Sequence, residues 1–505
     1  MSETIKRVLI ANRGEIAVRI ARACREMGFG VVAVASEADL HSFHARSADE
    51  VVCIGPAPSS ESYLRGDEII RVAKERGCQA IHPGYGFLSQ SADFADAVKA
   101  AGLIFVGPSG DAMRLMGDKT AARATMMEAG VPVVPGYQGT GEESGAELSA
   151  HAEKVGFPLL IKAAAGGGGK GMRIVRRAED FQASLDAARH EAKSAFGDDR
   201  VFLERYIERA HHVEIQVIAD SQGNTVHLFE RECSAQRRYQ KIVEESPSPL
   251  LSPAKRAEMG ATAVAAAKAC GYENAGTVEF LYAPEDESFY FLEMNTRLQV
   301  EHPVTELVTG LDIVLTQLLV SQGEPLPFTQ DELTQVGHAI ECRIYAEDPA
   351  AGFAPSTGRV HRFVQPSGPG VRVDAGVESG DVVSVYYDPM VAKLIVHAPD
   401  RASAIRRMLL ALGDTAVLGI ETNLGFLKAI LDLDDFHAGR IDTAYVQREL
   451  DGWTPPPTQL SVAHLIGAAL ADSLSRGLDE ADSSGGDGDR FSPWSKMDGF
   501  RIGEG

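Results

Sequence analysis

The chain has 505 residues, enough for roughly three domains at ~100–200 residues each. Its 44% hydrophobic and 24% charged residues are ordinary for a globular protein. A net charge of −22 without a large basic cluster argues against nucleic acid as a partner.

No run reaches the ~18 apolar residues of a membrane span, and the opening MSETIKRVLIANRGE lacks a signal-peptide layout. Cys24, Cys53, Cys78, Cys233, Cys270 and Cys342 are scattered and form no C-x-x-C pair. They read as reduced, buried thiols of a cytoplasmic protein and not as a disulfide or zinc framework.

Residues 1–116 alternate strand and helix. Arg7–Ala11, Val31–Ala35, Ala80–His82 and Ile104–Val106 read as strands; Glu15–Met27, Ile69–Glu75 and Phe94–Ala100 read as helices. That order predicts a parallel, Rossmann-like sheet. The turn Asn12-Arg13-Gly14-Glu15 lacks G-x-G-x-x-G, so dinucleotide binding is not supported. His82-Pro83-Gly84-Tyr85-Gly86-Phe87 follows a strand, where α/β sheets place their ligands.

Residues 117–205 hold the clearest phosphate signal. Phe157–Lys162 reads as a strand, followed by Ala163-Ala164-Ala165, the run Gly166, Gly167, Gly168 and Gly169, then Lys170 and another strand. Consecutive glycines let backbone amides approach phosphate oxygens, and Lys162 and Lys170 add point charges at either end. The pattern is not G-x-x-x-x-G-K-[ST], so a P-loop is excluded.

Val201–Ile207 reads as a strand whose end could meet an adenine through backbone groups. His211–Val217 alternates as a half-buried strand, which sends His211 and His212 to opposite faces and argues against a His–His metal pair. Gln236-Arg237-Arg238-Tyr239-Gln240-Lys241 reads as a basic loop and a local anion site.

The stretch Gly276–His302 carries the densest chemistry. Thr277–Tyr282 and Phe289–Leu292 read as a hairpin across Ala-Pro-Glu-Asp-Glu-Ser. Counting by twos from Glu293 gives Asn295, Arg297, Gln299 and Glu301, one polar face for as long as the backbone stays extended, with Glu279 able to pair across to it. Two glutamates and an asparagine there suit Mg²⁺, which takes carboxylate oxygens together with substrate phosphates. Arg297 and Glu301 beyond them suit a small oxyanion, and the whole reads as a nucleotide-dependent enzyme centre. Further on, His338–Tyr345 and Gly358–Phe363 read as strands and Arg401–Leu412 as a helix, with Asp388–Leu394 between them.

The segments IANRGEIAVRI, HPGYGFLSQ, RLMGDKTAAR, AAAGGGGKGMRIV, HVEIQV, EFLYAPEDESFYFLEMNTRLQVEHPVTE and HAIECRIYAEDP occur in the order seen in biotin carboxylases. From about Lys6 to Leu450 the chain resembles that family. The resemblance implies an α/β and α+β architecture, the ATP-grasp fold. An N-terminal Rossmann-like domain would occupy 1–116, and the ATP-grasp domain 117–335 with a mobile lid at about 134–205. A β-rich C-terminal domain would occupy 336–450, leaving 451–505 as a linker and the start of a truncated middle domain.

It also implies roles. Lys119 and Lys162 would contact ATP phosphates beneath the lid Gly166–Gly169. Glu204 and the backbone of Arg205 to Ile207 would hold adenine, with His212 and Gln236 beside the nucleotide. Glu279, Glu293 and Asn295 would carry Mg²⁺ or Mn²⁺. Lys241, Arg297, Gln299 and the Val300 backbone would bind bicarbonate, with Glu301 as its base and Arg343 stabilising the biotin enolate. Tyr239 departs from the histidine that many members of the family place near the nucleotide.

The activity implied is ATP-dependent carboxylation of biotin, in an acetyl-, propionyl- or methylcrotonyl-CoA type carboxylase or, alternatively, a pyruvate or urea carboxylase. The partners implied are a biotin carrier, a carboxyltransferase subunit and a second copy of the chain. Past Leu450, Pro455-Pro456-Pro457 breaks the chain, Val462–Leu474 reads as a small helix and Ser483–Gly488 as a flexible linker. Ser492–Phe500 resembles the entry to the middle domain of long α-chains, and Lys496 lacks a biotinylation context. The chain is expected to be a truncated α-subunit or to receive biotin on another polypeptide.

Overall fold

The computed structural model describes residues 4–138, 143–163, 172–456 and 461–471. The chain forms two compact units, Met1–Thr454 and Pro455–Gly505, divided at the expected proline break. In the second, the helix Val462–Ala471 exposes Val462, Leu465, Ile466 and Leu470. The linker Ser483–Gly488, Ser492–Phe500 and the glycines Gly166–Gly169 lie outside the described residues. No single helix among the described residues is long and apolar enough to cross a membrane.

The first unit opens with a five-stranded parallel sheet in the order Glu50–Cys53, Gly30–Ala35, Arg7–Ile10, Ala80–His82, Ile104–Phe105. Glu50–Cys53 was not foreseen: only four half-buried residues separate helix from loop there, too few for a periodic signal. The order reverses between Arg7–Ile10 and Ala80–His82. The two loops leaving those strands therefore diverge and frame a crevice. Asn12 ties the loops by donating to the Pro83 and Tyr85 carbonyls at 2.6 and 2.7 Å.

A four-stranded antiparallel sheet, Gly136–Gln138, Val201–Arg205, Leu159–Ala163 and Met172–Val175, carries the helices Gly145–Val155 and Phe181–Phe196. The strand expected over Val201–Ile207 ends at Arg205, where pairing with Leu159 stops.

The largest sheet has eight antiparallel strands. Its order is Ser288–Asn295, Asn274–Ala283, His211–Ala219, Thr225–Arg237, Gln240–Ser246, His338–Tyr345, Met390–Ala398, Val371–Ala375. One face buries Val213, Ile215, Val217, Val278 and Phe280 against Met259, Ala263 and Ala266 of helix Pro253–Ala269. Each such side chain contributes about 1.5–3 kcal/mol on full burial.

Several expectations are corrected here. His211–Ala219 is buried on both faces, not half-buried: Val213, Ile215 and Val217 pack in the core with helix Pro253–Ala269, and Glu214 and Gln216 on the other face meet the buried Arg231. Cys53 is exposed, not buried. His211 and His212 do diverge, toward Ser234 and Glu279. Gln236–Lys241 is not a loop but the tip of a hairpin, with Gln236 paired to Lys241 and only Arg238 and Tyr239 turning between strands. Gly358–Phe363 splits into Gly358–Arg359 and Arg362–Val364, which join two different small sheets.

Candidate active site

The hairpin Asn274–Ala283/Ser288–Asn295 sets Glu279 directly opposite Glu293 and Thr277 opposite Asn295. Simple alternation would put Glu293 on the same side as the core residue Phe291. The register slips by one residue between the Glu279–Glu293 and Phe280–Phe291 pairs, leaving Leu292 over, and this bulge turns Glu293 to the polar face. The strand ends at Asn295. Arg297, Gln299 and Glu301 are therefore not one strand face, as alternation predicted; they lie on an irregular segment leading into helix His302–Thr309, with Glu301 at its N-cap.

These side chains nevertheless converge, and Lys241 is the reason. Its Nζ donates to Glu214 at 2.6 Å and to Glu279 and Glu301 at 2.8 Å each. Burial opposes its charge, but the three carboxylates outweigh that and hold the ammonium well above its usual pKa. The mirror effect holds Glu279 and Glu301 well below the carboxylate range: burial works against them, and Lys241 outweighs it, helped by His212 at Glu279 and by Arg343 at Glu301. Glu301 also accepts from Arg343 Nη2 at 2.9 Å, and Arg343 Nε donates to Glu244 at 2.6 Å.

Asn295 Nδ2 and Gln299 Nε2 both donate to Glu279 Oε1 at 2.9 Å. Asn295 Oδ1 accepts from Arg297 Nη2 at 3.0 Å, which leaves its second lone pair for a metal. Glu293 is solvent-exposed, yet the protein around it and the Glu279 charge push its carboxyl up, with Lys119 among the cations acting the other way. Two facing carboxylates, one of them disfavoured as an anion, fit a divalent cation between them.

On the nucleotide side, Lys162 pairs with Glu204, and Lys119 is exposed at the start of helix Lys119–Glu128. The N–H groups of Arg205 and Tyr206 are committed to the Pro135 and Pro158 carbonyls, which narrows what this backbone can offer a base. Ile207 follows the strand. His212 Nε2 lies 3.1 Å from Glu279, whose charge raises the imidazole pKa against the cost of burial. Gln236 is buried, whereas Tyr239 is 75% exposed at the hairpin tip.

A cavity of ≈ 550 Å³ opens beside this cluster, lined by Arg297, Val300 and Arg343 together with Glu15, Tyr85 and Tyr387. Arg231, Glu214 and Glu244 were missed by sequence reasoning. Arg231 is fully buried and donates to Glu214, Gln216, Thr305, Thr277 and Gln299, fixing the Gln299 amide from beneath. The available signal was a polar residue at every second position of HVEIQV and the charges inside FERECS.

Three family models match in sequence: "Biotin carboxylase, N-terminal domain" over residues 4–113, "Carbamoyl-phosphate synthase L chain, ATP binding domain" over 118–329, and "Biotin carboxylase C-terminal domain" over 341–448. Biotin carboxylase 1 of Bacillus subtilis is 51% identical over 88% of this chain and 98% of its own length. The chain belongs to the biotin carboxylase family.

As a biotin carboxylase it is an ATP-dependent ligase with the ATP-grasp fold. Methylcrotonoyl-CoA carboxylase subunit alpha of Dictyostelium discoideum is 50% identical over 99% of this chain and 70% of that subunit. Among solved structures, the biotin carboxylase domain dimer of Hydrogenobacter thermophilus 2-oxoglutarate carboxylase, bound to MgADP, ADP and bicarbonate, superposes with a TM-score of 0.83. It is 44% identical over 90% of this chain and 100% of that one. The Campylobacter jejuni biotin carboxylase bound to an ATP analogue gives 0.83 at 45% identity, over 88% of this chain and 99% of that one.

Proposed function

We propose that the Lys241–Glu279–Glu301–Arg343 cluster and the adjoining cavity carry out the first half-reaction of a biotin-dependent acyl-CoA carboxylase. Biotin is carboxylated with bicarbonate at the expense of ATP, which is the activity of this family. The observation that carries the assignment is Glu301, held as a carboxylate between Lys241 and Arg343 at the edge of a cavity lined by Arg297 and Val300.

Bicarbonate bound by Arg297, Lys241, Gln299 and the Val300 backbone loses its proton to Glu301. Its oxyanion attacks the γ-phosphorus of ATP, the β–γ bridge breaks, and ADP leaves behind carboxyphosphate. Carboxyphosphate separates into CO₂ and phosphate, the phosphate takes the proton of the biotin ring nitrogen, and the enolate captures CO₂ while Arg343 offsets its charge. Lys119 and Lys162 offset charge on the ATP phosphates. Glu279 and Glu293, with Asn295, would hold Mg²⁺ or Mn²⁺, which neutralises phosphate charge when bound.

The similarity to methylcrotonoyl-CoA carboxylase α continues past residue 450, which favours an acyl-CoA carboxylase α-chain over a stand-alone enzyme. Biotin then arrives on a carrier domain or protein, and the carboxyl group passes to a carboxyltransferase subunit. The test is bicarbonate-dependent ADP release with and without biotin, carboxybiotin being measured in the same reaction. ADP release that ignores bicarbonate, or yields no carboxybiotin, rejects the assignment.

A further inference from the structure

Lys393 lies on the strand Met390–Ala398, in register between Arg343 and Asp374, and its side chain is fully buried. A buried ammonium is costly unless its hydrogen-bonding capacity is met. Here Nζ donates to the Val300 carbonyl oxygen at 2.7 Å and lies 3.3 Å from Glu15 Oε2. The other Glu15 oxygen accepts the Tyr85 hydroxyl.

These contacts join chain segments that are far apart in sequence. Val300 belongs to the segment between the central hairpin and helix His302–Thr309, Glu15 opens the first helix, Tyr85 sits in the loop after Ala80–His82, and Lys393 comes from the far side of the large sheet. Glu15, Tyr85 and Val300 all line the ≈ 550 Å³ cavity, whereas Lys393 lies beneath it. Close packing at Gly376 holds Glu15 from the other side: a Cβ there would stand 2.6 Å from the Glu15 backbone nitrogen.

We propose that Lys393 is a positioning residue for the carboxylation reaction, fixing the Val300–Glu301 peptide and the Glu15–Tyr85 pair in one frame. This rests on the assignment of Glu301 as base and of the cavity as the biotin site. The Val300 carbonyl belongs to the peptide that leads into Glu301, so pinning its oxygen sets the plane from which the Glu301 side chain departs. The same ammonium anchors Glu15, and through it the Tyr85 hydroxyl that also lines the cavity. Lys393 itself touches no substrate.

The test is steady-state kinetics of the full chain carrying Lys393→Met, with ATP, bicarbonate and free biotin varied separately. The KM values for bicarbonate and biotin should rise by about tenfold or more, the scale on which misplaced reacting groups are felt, while the KM for ATP stays within about twofold. A purely structural role would lower the fraction of active enzyme, and so kcat, without this split. Unchanged KM values for bicarbonate and biotin, or equal rises in all three, overturn the proposal.

If Lys393→Met does not fold, Glu15→Gln decides. It keeps the acceptor for Tyr85 and the Lys393–Val300 bond but loses the ion pair, so it should raise the KM for biotin and spare that for bicarbonate; no change in the biotin KM overturns the proposal. Wild-type enzyme without bicarbonate-dependent ADP release overturns the site assignment and this role together. An active wild type whose variants lack the split overturns this role alone.

Discussion

At the scale of single residues, the arrangement makes Glu301 and Arg343 neighbours and not independent parts. Glu301→Ala removes the proposed base, and both bicarbonate-dependent ADP release and carboxybiotin formation should fall by about 10²-fold or more. Arg343→Ser removes the proposed counter-charge of the enolate and also takes a cation from Glu301 and Glu244. It should lower ADP release somewhat and carboxybiotin much further, so that ATP cleavage becomes uncoupled. Both products measured in one reaction check this; equal proportional losses in the two variants would refute the division of labour. Glu293→Gln removes one of two facing carboxylates. ATP cleavage should drop by about 10²-fold, as when a charge-neutralising ion worth several kcal/mol is lost, and excess Mg²⁺ should restore part of it. Near-normal turnover at ordinary Mg²⁺ would exclude Glu293 from metal binding.

At the scale of elements, the hairpin Thr225–Arg237/Gln240–Ser246 is closed by Arg238 and Tyr239, with φ of 50° and 67°. Two-residue turns of this kind favour Asn-Gly, because a Cβ is disfavoured at positive φ. Arg238→Asn with Tyr239→Gly should therefore stabilise the chain by about 1 kcal/mol or more, read as a higher melting temperature. If Tyr239 contacts the nucleotide, the KM for ATP rises in the same variant. A raised melting temperature with unchanged ATP kinetics would reduce the tip to a strained turn of no catalytic consequence. The bulge at Leu292 belongs to this scale too: it is what turns Glu293 from the Phe291 side to the Glu279 side.

At the scale of the whole molecule, buried histidines tie stability to pH. Burial lowers His44 to about 4 and His82 to about 3, and with nearby cations holds His302 well below its usual value. In the unfolded chain each titrates near 6.5, as an unperturbed histidine does. Between about pH 6.5 and 4 the unfolded state therefore binds more protons, and stability falls as pH falls. His212 acts in the opposite sense: its pKa is raised, so its contribution is complete below 6.5 and fades as pH rises through the folded value. His227, lowered by burial, adds to the first three, whereas the carboxyls of Glu15, Glu244 and Glu341, raised by burial, act in the same sense as His212. His82→Asn removes one group that takes up its proton only in the unfolded chain, so the melting temperature of the variant relative to wild type should rise as pH falls from 6.5 to 4. A difference that stays constant over that range would contradict it.

The alternating strands and helices of residues 1–116, the hairpin around Glu279 and Glu293, and the motifs that mark the family were all legible in the chain, because each is a local pattern of period or spacing. The proline break near residue 455 was legible for the same reason. The tertiary structure alone decided that strands from His211 to Ala398 form one eight-stranded sheet, since pairing between residues as far apart in the chain as Val243 and Cys342 leaves no local trace. It decided that His211–Ala219 is buried on both faces, which turned Glu214 and Gln216 from expected surface into partners of Arg231 and Lys241. It also decided which cation each glutamate meets. A carboxylate in a sequence is only an acid; Lys241, within hydrogen-bonding distance of Glu214, Glu279 and Glu301, holds Glu279 and Glu301 ionised, and that depends on distances that only folding sets.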